Sequence, residues 1–248
     1  MTAKLSTLLS SQVSTYETVL PISKQSVKYR PFTVKEEKIL LIALESDNEN
    51  EVAMAIEKII TNCTDGTVEP STLALADVEA LFLALRAKSV ANRCEPILTY
   101  TDESGKVHHI QLTVDIDTIE ITTDPDHTNE IRLTDTVAIL MRYPTLRNTN
   151  QINPNQKDTE MMFDMIANCI DEIHDDTGNV WKADEISKEE IHAFIESMNE
   201  EQFSKILNFF KTMPQLIKEV EFEVNGKKET VTLRGLQDFF GSPSVTSQ

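Results

Sequence analysis

The sequence predicts an α+β fold: N-terminal helices with a small antiparallel sheet, then a C-terminal helical unit closed by a β-hairpin. Three observations carry this. Thr33 and Glu36 form a capping-box pattern directly before a long apolar run, ILLIAL, which marks a helix start. The segment EVEFEVNGKKETVTLRG alternates Val220, Phe222 and Val224, turns at Asn225-Gly226, and resumes with Val231 and Leu233, the pattern of a two-residue hairpin. Between them, Phe163, Ile166, Ile170 and Ile173 recur at helical spacing.

Residues 1–19 are rich in Ser and Thr with scattered Leu and read as a flexible arm. A domain spanning 20–146 follows. Val27 to Tyr29 suit a short strand, and Pro31 biases Arg30 away from helical backbone. The helix over 34–45 carries Ile39 to Leu44 as an unbroken apolar run, so burial on several sides is expected. A second helix places Val52, Ile56, Ile59 and Ile60 on one face. A third, over 73–90, places Leu75, Val78, Phe82 and Leu85 together, with Asp77, Glu79, Arg86 and Lys88 mostly off that face. ILTYTDESGKVHHIQ then reads as a hairpin around Gly105, and IEITTDPDHTNEIRLTD as a second around Pro125. Together they predict a small antiparallel sheet that the strand at 27–29 joins. Residues 135–142 read as a fourth helix ending before Pro144.

The amide-rich stretch RNTNQINPNQK, 147–157, loses periodicity and is predicted as the linker between domains. The helical unit covers 158–241, its first helix running through DTEMMFDMIANCIDEIH. Ser187 with Glu190 and Asn199 with Gln202 repeat the capping signature, and Pro214 stops the run that Asn199 opens. Residues 242–248 form a polar tail.

Charge narrows the function. The chain of 248 residues has 23 basic and 41 acidic side chains, a net charge of −18 and an isoelectric point near 4.6. Such a balance opposes phosphate backbones, so nucleic acid is not expected as a partner. It favours solubility and steers toward basic protein surfaces. No segment reaches eighteen apolar residues and the N-terminus lacks a continuous signal-like core, so no membrane partner is expected. The cysteines, Cys63, Cys94 and Cys169, are unpaired in spacing and sit in apolar segments, as reduced buried thiols do.

Candidate chemistry is sparse. His108 and His109 are adjacent in a predicted strand and point to opposite faces. Neither these nor His127, His174 or His192 fall in a metal-ligand spacing. A metal-dependent enzyme using His108 with Cys94 or His127 is the alternative of a different class. Gly178 follows several oxygen-bearing residues, but an EF-hand register would put Ile173 at its first position. No phosphate-binding glycine loop or nucleophile elbow occurs, and no catalytic residue, cofactor or small-molecule substrate is assigned.

The basic residues near the first helices admit two readings. They are solvated counter-charges in an acidic fold, or Arg30 and Arg86 or Lys88 pair with Glu36 or Glu37 and pin the strand-helix corner to the third helix. Exposed apolar groups on the C-terminal helices, Phe209, Phe210, Phe239 and Phe240, are candidate contacts beside the plainer reading of core packing.

LPISKQSVKYRPFTVKEEKILLIALESDNENE and DVEALFLALRAKSV resemble the baseplate hub proteins of T-even-type contractile-tailed phages. The resemblance rests on an RPFT-type strand end, an EEK-LL-like helix and an acidic helix ending in FL-LR-KS. It covers residues 20–92 and extends more loosely to the C-terminal hairpin. It implies a late, non-enzymatic role with other phage hub or tail proteins as partners. The chain would then act as a hub assembly chaperone in the host cytoplasm, or as a subunit retained in the virion baseplate.

Overall fold

The computed structural model describes residues 14–46, 48–89, 93–150, 157–240 and 243–246. They form two units: one built from residues up to Thr122 and from Gln215 onward, the other from Thr123 to Pro214.

In the first unit, β1 (Tyr16–Val19) pairs antiparallel with β2 (Ser26–Tyr29), matching Tyr16 to Tyr29. The two rings stack at 5.9 Å. Part of the expected arm is therefore a strand, and residues 1–13 lie outside the described residues. The strand at 27–29 joins β1 and not the later hairpin, because the alternation of Val27 and Tyr29 is satisfied locally.

Then come α1 (Val34–Glu45), α2 (Glu49–Cys63) and α3 (Leu75–Ala87). Thr33 donates its N–H to Glu36 at 2.9 Å, the reciprocal arm of the capping box. Helix α1 is not buried on several sides. It turns Glu36, Leu40 and Ala43 inward, and the 3.6-residue repeat then leaves Leu41 and Ile42 facing outward at 51% and 54% exposure. Helix α3 is the most enclosed, with Val78, Leu81, Phe82 and Leu85 almost inaccessible to solvent.

A two-residue pair, β3 (Arg93–Cys94) with β6 (Val114–Asp115), flanks the expected hairpin of β4 (Ile97–Thr101) and β5 (Val107–Gln111). The second expected hairpin does not form. β7 (Glu120–Thr122) pairs with a C-terminal strand, and β8 (Glu130–Arg132) pairs with β9 (Val137–Met141) in the second unit. Pro125 lies where the chain leaves the first unit. The helix expected over 135–142 is β9: Ile139 and Met141 point inward with period two, and the β-branched Val137 and Ile139 favour that backbone.

The second unit continues with α4 (Leu146–Asn150) and α5 (Asp158–Cys169). The helix expected to reach His174 stops at Cys169, where β10 (Ile170–Asp175) begins and pairs with β9. Ile170 and Ile173, three apart as on a helix face, are both buried in the strand across a register shift between Ile170 and Glu172. β11 (Val180–Lys182) completes a four-stranded antiparallel sheet in the order β11-β10-β9-β8. Helices α6 (Lys188–Glu196) and α7 (Glu200–Thr212) open on caps at Ser187 and Asn199 as expected, the second a full capping box. Ile139, Met141, Ile166, Cys169, Ile170, Ile195, Ile206 and Phe209 form this unit's core.

The chain returns to the first unit through β12 (Gln215–Val224) and β13 (Lys227–Arg234), ordered β13-β12-β7. Asn225 and Gly226 both take positive φ, 51° and 74°, as a type I′ turn requires. Helix α8 (Gly235–Phe240) follows, and β14 (Ser244–Thr246) lies parallel to β4, so part of the expected tail is strand. The units therefore part at 122/123 and 214/215, whereas 147–157 was the expected division. Loss of periodicity at 147–157 marks a connection inside the second unit, of which 151–156 lie outside the described residues.

Candidate functional site

The corner expected around α1 exists as a network of paired charge around a buried Glu36. Arg30 leaves β2 with its backbone N–H on the Cys63 carbonyl at 2.9 Å. Its guanidinium forks onto Glu36, Nη2 to Oε1 at 3.1 Å and Nη1 to Oε2 at 3.3 Å, the bidentate geometry that makes Arg the residue for this task. Two more bonds reach the carbonyls of Asn62 at 3.2 Å and Pro31 at 3.1 Å.

Glu36 is 1% exposed. Burial alone would raise its carboxyl, but hydrogen bonds from Arg30 and Thr33 outweigh that and hold it at about 2. The group stays ionised where an unpaired buried carboxyl would not.

A second pair ties α1 to α3: Arg86 Nη1 lies 2.6 Å from Glu37 Oε2. The Arg86 guanidinium also sits over the Phe240 ring, 5.9 Å from its centroid. Lys88 takes no carboxylate partner among the described residues; its Nζ lies 5.7 Å over the Tyr16 ring. Ser89 accepts the Phe32 N–H at 2.5 Å. Arg30, Glu36, Glu37, Arg86 and Lys88 are thus gathered where β2, α1, α2 and α3 meet, as fold-holding groups.

One residue of this framework overturns its expected place: helical spacing puts Asp77 mostly off the apolar face of α3, yet it is buried. Asp77, fully buried at the start of α3, accepts the N–H of Ile22 at 2.7 Å and of Ser23 at 2.9 Å. Two backbone donors more than fifty positions away satisfy its carboxylate, a pairing that helical spacing does not show.

Two of the phenylalanine candidates belong to the core and two are partly covered. Phe209 and Phe239 are buried, and Phe210 and Phe240 are half-buried. Phe240 packs edge-on to Phe82 at 5.5 Å, and Phe209 stacks on Tyr143 at 5.7 Å. Core volume claims the largest apolar side chains first. Helix α1 itself carries outward apolar groups, Val34, Leu41 and Ile42, with Lys38 between them on one stripe, as Met54 does on α2 and Val180 and Trp181 do on β11.

The residues of the metal alternative have other partners. His108 Nε2 lies 2.8 Å from Asp102 Oδ2. Cys94 is buried, its thiol pushed up to about 11 by desolvation. His127 belongs to the second unit, between Thr212 and Tyr143. No group of three His, Cys, Asp or Glu side chains is arranged to hold a metal among the described residues. In the 175–179 turn, Asp175 accepts the N–H of Thr177 and of Asn179, each at 2.9 Å, so its carboxylate serves the loop itself.

Among the described residues no helix is long and apolar enough to cross a membrane. Comparison with curated proteins and with solved structures gives no match. A family model described as T4 bacteriophage base plate protein matches residues 13–241. That span includes the charged corner, both units and the terminal hairpin, and the chain belongs to the T4 bacteriophage base plate protein family.

Proposed function

We propose that this baseplate-family chain is a non-enzymatic protein-binding factor in assembly of the central hub, acting as a chaperone on other phage hub or tail proteins in the host cytoplasm. The observation that supports it is the outward stripe of α1. Val34, Leu41 and Ile42 are exposed on a helix anchored from behind by Arg30–Glu36 and Arg86–Glu37. An exposed apolar stripe on an anchored helix suits a protein contact more than a reaction. The net charge of −18 would shield a basic assembly intermediate and keep chaperone copies apart.

The family description, base plate protein, favours a second reading, a subunit retained in the virion. Quantitative mass spectrometry of mature particles beside assembly intermediates separates the two. Presence only with intermediates is expected for a chaperone. Fixed copy number in finished particles makes it a subunit, and absence from both would sink the binding role altogether.

A further inference from the structure

The second unit ends its sheet on an open edge with an unusual composition. All three residues of β11 are exposed, Val180 at 49% and Trp181 at 44%. Trp181 is the only tryptophan of the chain. Tryptophan is large enough that exposure forgoes much burial, and it is among the residues that dominate protein contacts.

The backbone on this edge is directed outward. Asp175 donates its N–H to Asn179 O at 3.2 Å, and the register continues with His174 opposite Val180 and Ile173 opposite Trp181. Bonded and non-bonded pairs alternate in an antiparallel ladder. Trp181 therefore exchanges its bonds with Ile173, while the N–H and C=O of Val180 and Lys182 point away from β10. β11 is the last strand of its sheet among the described residues.

Edges are commonly blunted with charge or proline. Here Lys182 is the one Lys or Arg between 170 and 186, amid Asp175, Asp176 and Glu185, while Arg142 faces Asp184 and Asp171 at 3.5 Å and neutralises part of the acidic set. Self-pairing through this edge would bring those carboxylates together in chains that each carry −18. A basic strand meets no such opposition.

We infer that the free edge of β11 docks an extended, lysine- or arginine-bearing segment of a partner protein by strand addition. Val180 and Lys182 supply the backbone ladder, Trp181 the apolar contact, and the surrounding carboxylates the charge preference. The inference rests on the reading of this chain as a protein binder, but uses a surface separate from α1.

Trp181 makes the test direct, because its emission reports on this edge alone. The full-length protein is titrated with an acetylated and amidated peptide of alternating lysine and valine, seven residues long. Controls are the glutamate-valine peptide and the lysine-valine peptide N-methylated at alternate amides. A saturable blue shift is expected with the first, none with the glutamate peptide, and at least about tenfold weaker binding after N-methylation. Val180→Pro, which removes one outward N–H, should weaken binding similarly with the far-ultraviolet spectrum unchanged; the N-methylated peptide gives the same information should that variant misfold.

No saturable shift, or equal binding of the N-methylated peptide, overturns strand addition. A dimer in sedimentation that Val180→Pro dissociates also overturns it, by making a second copy the occupant. If peptide binding fails while hub-intermediate binding persists and depends on Leu41 and Ile42, only this edge is refuted. If both fail, the protein-binding reading falls with it.

Discussion

Glu37 and Arg86 stand 49 positions apart and meet at 2.6 Å, joining the first turn of α1 to the last turn of α3. Six residues from Arg30, Glu36 makes the companion pair, and the two adjacent glutamates thus grip different elements. Their costs of removal should differ. Arg30→Ala leaves the buried Glu36 without its counter-charge, which costs about 3–5 kcal/mol. Arg86→Ala releases the more accessible Glu37 and should cost about 1 kcal/mol. Urea denaturation of the two variants checks the ranking; equal losses would mean that Glu36 is not the buried anchor.

Asp77 should matter beside those pairs. Asp77→Ala removes the acceptor of the half-buried Ile22 N–H and of the exposed Ser23 N–H, and should cost about 1–3 kcal/mol in all. Asp77→Asn keeps an acceptor and should recover part of the loss. Hydrogen exchange at those two amides is the local readout: both should exchange faster in the alanine variant.

Stability should fall between mildly acidic and neutral pH because of Glu79. Burial pushes this carboxyl up to about 7, against the N–H groups of Leu216 and Leu236 that favour its ionised form. Its ordinary value is 4.5, so between 4.5 and 7 the native state holds a proton that the unfolded chain has released. Stability then declines as pH rises through that window, by up to about 1.4 kcal/mol per unit. Glu36 acts oppositely: its stabilisation is complete above 4.5 and is lost as pH falls toward 2. Glu79→Gln should flatten the neutral side of the profile and leave the acid limb intact.

His127 supplies a separate acid sensitivity in the second unit. Burial pushes its imidazole below the usual 6.5, against Asp124, which pulls it up. Tyr143 donates its hydroxyl to Asn129 Oδ1 at 2.9 Å, which lets a neutral His127 donate from Nε2 to the Tyr143 oxygen at 3.1 Å. The unfolded chain takes a proton first, so this contribution is present above 6.5 and declines below it. NMR titration of His127 should show the depressed value, and Tyr143→Phe should alter it.

The outward stripe of α1 predicts a variant that folds but fails to bind. Leu41→Gln with Ile42→Gln changes exposed positions, so stability should shift by less than about 1 kcal/mol. Association with hub intermediates should drop at least about tenfold in a pull-down quantified against the parent chain. Unchanged association would remove α1 from the contact.

What the sequence by itself determined about this protein is what closes within a few residues. The Thr33–Glu36 and Asn199–Gln202 boxes, the stop before Pro214 and the Asn225-Gly226 turn each satisfy their hydrogen bonds or φ requirements locally, so their residue types suffice to place them. The corner was legible as a set of charges near apolar helices, and the pairing chosen for it places Arg30 on Glu36 and Arg86 on Glu37. Tertiary structure alone decided which strands pair and which faces are covered. VAILM reads equally as helix or strand until β10 lies beside it; β7 finds β12 almost a hundred residues away; and the six apolar residues from Ile39 to Leu44 cannot say that Leu41 and Ile42 face out. Those outcomes depend on long-range burial, which a local pattern constrains in period but not in partner.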